Sequence, residues 1–129
     1  ILCNQFITCF EKSESECIIL NVSSGAGKHP IHSWSTYCAS KAALDMLSKV
    51  LQLEYPKFKI YSVAPGIVDT AMQDEIRLAD KKDFPEVDRF ISFKENGELV
   101  SAQIVAQKYV DFLNNCSKHK DVLYSVRDL

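Results

Sequence analysis

Two residues in this sequence are spaced for acid–base chemistry on a carbonyl. Tyr37 and Lys41 stand four apart in Tyr37-Cys38-Ala39-Ser40-Lys41, a spacing that puts both side chains on one face of a helix. Tyrosine is a poor acid near neutral pH, with an unperturbed pKa of about 10, and an ammonium beside it favours the phenolate. Such a pair serves as general acid for a carbonyl oxygen or as general base for an alcohol. Ser24 lies thirteen residues before Tyr37 at the end of an apolar run, and its hydroxyl can polarise the same carbonyl. Taken alone, an aromatic and a lysine one turn apart more often decorate a helix surface. With Ser24 upstream and Pro65-Gly66 downstream, several roles converge on one site and the catalytic reading prevails.

Other reactive-looking residues carry less. Gly25-Ala26-Gly27-Lys28 resembles the tail of a phosphate loop but lacks the upstream glycine and the following Ser or Thr. His29, His32 and His119 form no ligand set with carboxylates or thiols, so no metal site is expected. Cys38, beside the tyrosine, reads as a small packing hydrophobe.

These residues need elements to position them. The opening ILCNQFITCF reads as the rear of an amphipathic helix without an N-cap. The run Cys17 to Val22 is short, apolar and rich in β-branched residues, as in a buried strand. A long helix is predicted from Ser35 to Tyr55, with Ala39, Ala43, Leu44, Leu47, Val50, Leu51 and Leu53 at helical spacing and Pro56 closing it. Lys59 to Ala64 forms a second strand, broken sharply at Pro65-Gly66. Thr70 to Asp88 is polar with a short helical stretch, as in a lid, and its charge run Asp80 to Asp88 reads as a solvated loop. A further amphipathic helix spans Ser101 to Asn114, and a last strand Asp121 to Val126. Strands alternating with helices of this length imply an α/β fold with a parallel sheet wrapped by helices.

Composition narrows the class. The chain has 129 residues, 47% hydrophobic and 25% charged, with a formal net charge of −2, which suits one modest globular core. That charge makes no field for nucleic acid or an anionic membrane, and neither is expected as a partner. The five cysteines match no zinc or disulfide spacing, so a reducing, cytoplasmic setting is expected.

Ser24 at a strand end, Tyr37 and Lys41 resemble the Ser–Tyr–Lys catalytic set of the short-chain dehydrogenase/reductase family. Asn21-Val22-Ser23-Ser24-Gly25-Ala26-Gly27 resembles that family's strand before the active site, and Pro65-Gly66-Ile67-Val68-Asp69-Thr70 its segment against the nicotinamide. Within the family, Trp34, YCASKAALDML, APGIVDTAMQ and NGELVSAQIVAQKYVDFL are similar to the sepiapterin reductase branch and its bacterial benzil-reductase-like relatives. The resemblance runs from Ile18 onward and implies the C-terminal part of a doubly wound, Rossmann-type sheet.

It also implies roles. Tyr37 protonates the substrate oxygen, Lys41 lowers the tyrosine's pKa and binds the nicotinamide ribose, and Ser24 orients the carbonyl. Tyr37, Lys41, Pro65, Gly66, Val68, Asp69, Thr70 and Met72 would meet NADP(H). Ser23, Ser24, Trp34, Tyr37, Gly66 and Met72 would face a small-molecule carbonyl, a pterin or a diketone. The full-length protein would be a homodimer.

Three departures accompany these likenesses. The glycine-rich turn that seats the pyrophosphate has no counterpart, so residues 1–129 are expected to be a single partial domain, the catalytic half, without roughly the first 110 to 120 residues of a family member. Asn4 sits a little late in its helix to be the asparagine of a catalytic tetrad. Ser125, flanked by Asp121 and Asp128, stands where sepiapterin reductases carry the acid that anchors the pterin. Two alternatives therefore stand beside a pterin reductase: a diketone reductase, and a catalytically incomplete chain that acts only as a dimerisation module.

Overall fold

The computed structural model describes residues 2–129. Helix α1 (Leu2–Phe10) leads into β1 (Ile18–Val22) and a 3₁₀ turn over Gly25–Gly27; then come α2 (Ser35–Glu54) and β2 (Lys59–Ala64). Strand β3 (Val68–Asp69), α3 (Ala71–Arg77), α4 (Val87–Glu95) and β4 (Val100–Ser101) form an excursion before α5 (Ala102–Asn114) and β5 (Leu123–Ser125) return to the main sheet.

That sheet is parallel, in the order β1-β2-β5. Central β2 is buried on both faces, as its apolar run requires. Its pleat sends Ile60 toward α1 and α2, where it packs with Ile7, Ile19, Leu51 and Phe58. Tyr61 and Val63 point the other way, onto Val105, Phe112, Cys116 and Val126. The α/β fold with a parallel, helix-flanked sheet expected from the sequence is the one observed.

The strand ends differ from expectation for physical reasons. β5 is three residues long because only Leu123, Tyr124 and Ser125 find partners on β2; Val126–Asp128 turns into a 3₁₀ helix capped by the Ser125 hydroxyl. Strands β3 and β4 pair only with each other, Val68 with Val100 and Asp69 with Ser101.

The larger correction concerns Asp80 to Asp88. Its charged side chains are exposed apart from half-buried Glu86, and Lys81 pairs with Asp88. Phe84 and Val87, however, are buried at 4% and 5% exposure. With Phe90 they make a third apolar cluster against Ile31, Trp34 and Ile76. The segment is an anchored cap that runs into α4, where Val87, Phe90 and Ile91 recur at helical spacing on the face toward this cluster.

Candidate active site

The site assembles where the C-terminal ends of β1 and β2 meet the first turns of α2. Helix α2 starts at Ser35 without a side-chain cap from Trp34. Ser33, just before, has φ of 66°, in the left-handed region that residues with a Cβ seldom enter. That conformation is held from outside: the Ser33 hydroxyl donates to the Asp83 carbonyl at 2.7 Å, and the His32 N–H donates to Glu86 Oε1 at 3.0 Å. The latter bond is the chief reason the Glu86 carboxyl lies below its ordinary range. Trp34 stacks on Phe84, with ring centroids 5.5 Å apart and planes 11° from parallel.

Tyr37 and Lys41 lie on one face of α2 as their spacing requires. The Lys41 ammonium sits 5.7 Å from the centroid of the Tyr37 ring and donates to the Val22 carbonyl at 2.9 Å. It is thus fixed at the exit of β1, two residues from Ser24. The Ser24 hydroxyl oxygen accepts from the Ala26 N–H at 3.2 Å, which leaves its own hydrogen to donate. Beside Tyr37 opens a cavity of about 380 Å³, lined by Ser33, Trp34, Thr36, Tyr37, Met72, Glu75 and Ile76. Trp34, Met72 and Ile76 give it an apolar wall.

Trp34, Tyr37 and Met72 thus line one cavity. Ser23 does not join them: it is 4% exposed and its hydroxyl donates to Asp45 Oδ1 at 2.5 Å, so its side chain is committed to the interior. Pro65 and Gly66 line a separate cleft of about 80 Å³ with Lys108 and Arg127. Gly66 has φ of 82°, a left-handed backbone that favours glycine, and a Cβ there would stand 3.3 Å from Nε of the exposed Arg127 side chain. Val68 is half-buried in the β3–β4 pair, while Asp69 and Thr70 are exposed at the entry to α3.

Several lining residues escaped the sequence reading. Ser33 and Thr36 flank Trp34 and Tyr37 at the start of α2, while Glu75 and Ile76 enter the cavity because α3 folds back over it, a tertiary fact with no local signal. Among the described residues no group of three His, Cys, Asp or Glu side chains is placed to hold a metal, and no helix is long and apolar enough to cross a membrane.

Residues 1–81 match the short chain dehydrogenase family. The chain belongs to the short-chain dehydrogenase/reductase family. It is 41% identical over 112 residues to a benzil reductase ((S)-benzoin forming) of Bacillus cereus, covering 83% of this chain and 45% of that protein. It is 39% identical over 97 residues to the sepiapterin reductase of Xenopus tropicalis, covering 74% of this chain and 36% of that protein. The crystal structure of the KRED1-Pglu enzyme superposes with a TM-score of 0.77 at 34% identity, over 86% of this chain and 46% of that one. Both branches suggested by the sequence motifs are thus among its relatives, and the chain spans about half the length of the two benzil reductases it matches, 45% and 54%.

Proposed function

We propose that the full-length protein is an NADP(H)-dependent reductase of small carbonyl compounds, with Tyr37 as general acid. One observation carries this reading: Tyr37, held beside the Lys41 ammonium, faces a cavity walled by Trp34, Met72 and Ile76. A flat, apolar carbonyl substrate fits that wall, and its oxygen would take a proton from Tyr37 while the Ser24 hydroxyl donates to it. Lys41 suits the ribose of a nicotinamide cofactor: Val22 uses one of its three donors, leaving two for a diol. When bound, the nicotinamide supplies the hydride. Pro65, Gly66, Val68, Asp69, Thr70 and Met72 follow β2 and would flank that end of the cofactor. The rest of the cofactor would be held by a further half of the domain, paired with the open edge of β1.

Relatives on both branches leave a pterin or a diketone as the substrate. The test is NADPH oxidation by the full-length protein with sepiapterin and with benzil. Turnover with either one, lost by about a hundredfold or more in Tyr37→Phe, supports the reading, and the preferred compound names the branch.

A second reading has its own observation. Met46, Val50 and Leu53 on α2, and Leu2 and Phe10 on α1, are exposed apolar residues, as on a dimerising helix face. An interaction module would self-associate without reducing either compound.

A further inference from the structure

Helix α2 meets the C-terminal part of the sheet through polar side chains. Lys41 Nζ donates to the Val22 carbonyl, and Asp45 Oδ1 accepts from the Ser23 hydroxyl at 2.5 Å and the Ser62 hydroxyl at 2.7 Å. One turn on, Ser48 Oγ accepts from Asn21 Nδ2 at 2.9 Å, and Gln52 accepts from the Ile60 N–H at 2.8 Å. Residues 41, 45, 48 and 52 recur at helical spacing, so this is one face of the helix. Asn21 and Ser62 are register partners on β1 and β2, and the pleat puts both on the face toward α2.

Asp45 is the one carboxylate in this row. It is 7% exposed, and its partners Ser23 and Ser62 are 4% and 1% exposed. Burying a carboxylate costs free energy unless it is hydrogen-bonded, and an apolar side chain of similar size generally packs at least as well. Packing therefore does not explain its presence. Its two bonds join three elements of the site: the helix that carries Tyr37 and Lys41, the strand end that carries Ser24, and the strand that leads into Pro65-Gly66. A second feature presses on the same spot. A Cβ on Gly27 would stand 3.0 Å from the Lys41 carbonyl carbon and 3.1 Å from Asp45 Oδ2, so the turn after Ser24 is seated directly on the Lys41–Asp45 turn of the helix.

We propose that Asp45 is a positioning residue of the reductase: by holding Ser23 and Ser62 to α2 it sets where Ser24 and the Pro65-Gly66 segment stand relative to Tyr37 and Lys41. This rests on the reductase reading above. Asp45 touches no substrate and acts only through the strands it fastens.

The test uses the full-length protein with Asp45→Leu, Asp45→Asn and Ser62→Ala. Asp45→Leu keeps the branched shape of the side chain, with bulkier methyl groups, and leaves two buried hydroxyls without an acceptor. It is expected to lower kcat roughly tenfold or more with KM nearly unchanged, because an ångström of misplacement costs up to about a hundredfold. Asp45→Asn keeps an acceptor oxygen and is expected to recover most of kcat. A readout independent of turnover is amide hydrogen exchange over residues 23–27 in the cofactor-free protein, which should rise in Asp45→Leu and return toward wild type in Asp45→Asn. Where Asp45→Leu does not fold, Ser62→Ala takes its place, with a smaller fall in kcat in a protein that still folds. Undiminished kcat in the folded variant overturns the proposal, as does a loss in Asp45→Asn equal to that in Asp45→Leu. A wild-type protein that reduces no carbonyl overturns the reductase reading instead; amide exchange unaltered by Asp45→Leu then overturns this proposal separately.

Discussion

Lys41 anchors to the Val22 carbonyl while keeping two donors spare, and Ser24 keeps its hydrogen while accepting from Ala26; each side chain is oriented by the backbone and still has capacity for a ligand. Ser24→Ala in the full-length protein is accordingly expected to lower kcat by about a hundredfold, as losing one donor to a developing oxyanion does; an unchanged kcat would assign Ser24 to capping alone. A different residue sets an alkaline limit on stability. Tyr109 donates to the Val63 carbonyl at 2.8 Å, and burial pushes its phenol up to about 12. The folded value lies above the unfolded one of about 10, so the contribution is whole below pH 10 and is lost as pH rises through about 12. Tyr109→Phe should reduce stability by about 1 kcal/mol at neutral pH and flatten the alkaline fall, read by denaturant unfolding at pH 7 to 11. The sequence displayed Tyr37, Lys41 and Ser24 because their chemistry depends on local spacing. It concealed Asp45, although an acid four residues past Lys41 on a sheet-facing helix was a signal that could have been read, and it misplaced Ser23, whose orientation follows from a strand pleat.

At the scale of elements, close approach dominates. The turn over Gly25–Gly27 lies so near α2 that Gly27→Ala would push a Cβ against helix backbone, where little can give. Overpacking of this kind costs about 1–3 kcal/mol, and a lowered melting temperature with reduced turnover is the expected result; a variant as stable and active as wild type would show that the turn is free to move. The cap of α3 and α4 is held to the cavity beside Tyr37 by Phe84 on Trp34. Phe84→Ala is expected to raise KM for the carbonyl more than it lowers kcat, because it removes the stacked support of a cavity wall. Strands β1 and β2 and helices α2 and α5 were legible because a run of β-branched residues or a 3.6-residue stripe marks each one. The β3–β4 pair was not, since two-residue strands take their conformation from what they pair with; α4 was signalled by Val87, Phe90 and Ile91 at helical spacing and was passed over among the charges before it.

The molecule as a whole exposes 8417 Å², against about 6,900 Å² expected for an isolated globular domain of 14.6 kDa. The excess belongs with the open edge of β1 and with exposed apolar residues such as Leu53 at 82%. Both are surfaces that a further half-domain and a second copy would cover in the proposed full-length reductase. Full-length protein is expected to sediment as a homodimer, and residues 1–129 alone to self-associate as concentration rises; a monodisperse monomer of the short chain would count against this. The central claim, that Tyr37 is the acid of a carbonyl reductase, meets its most direct test in NADPH oxidation by full-length wild type and Tyr37→Phe, with benzil and sepiapterin as substrates. Turnover of at least one compound by wild type, lost in a folded Tyr37→Phe, is the expected result; equal turnover by the two proteins, or none by wild type with either compound, would contradict it.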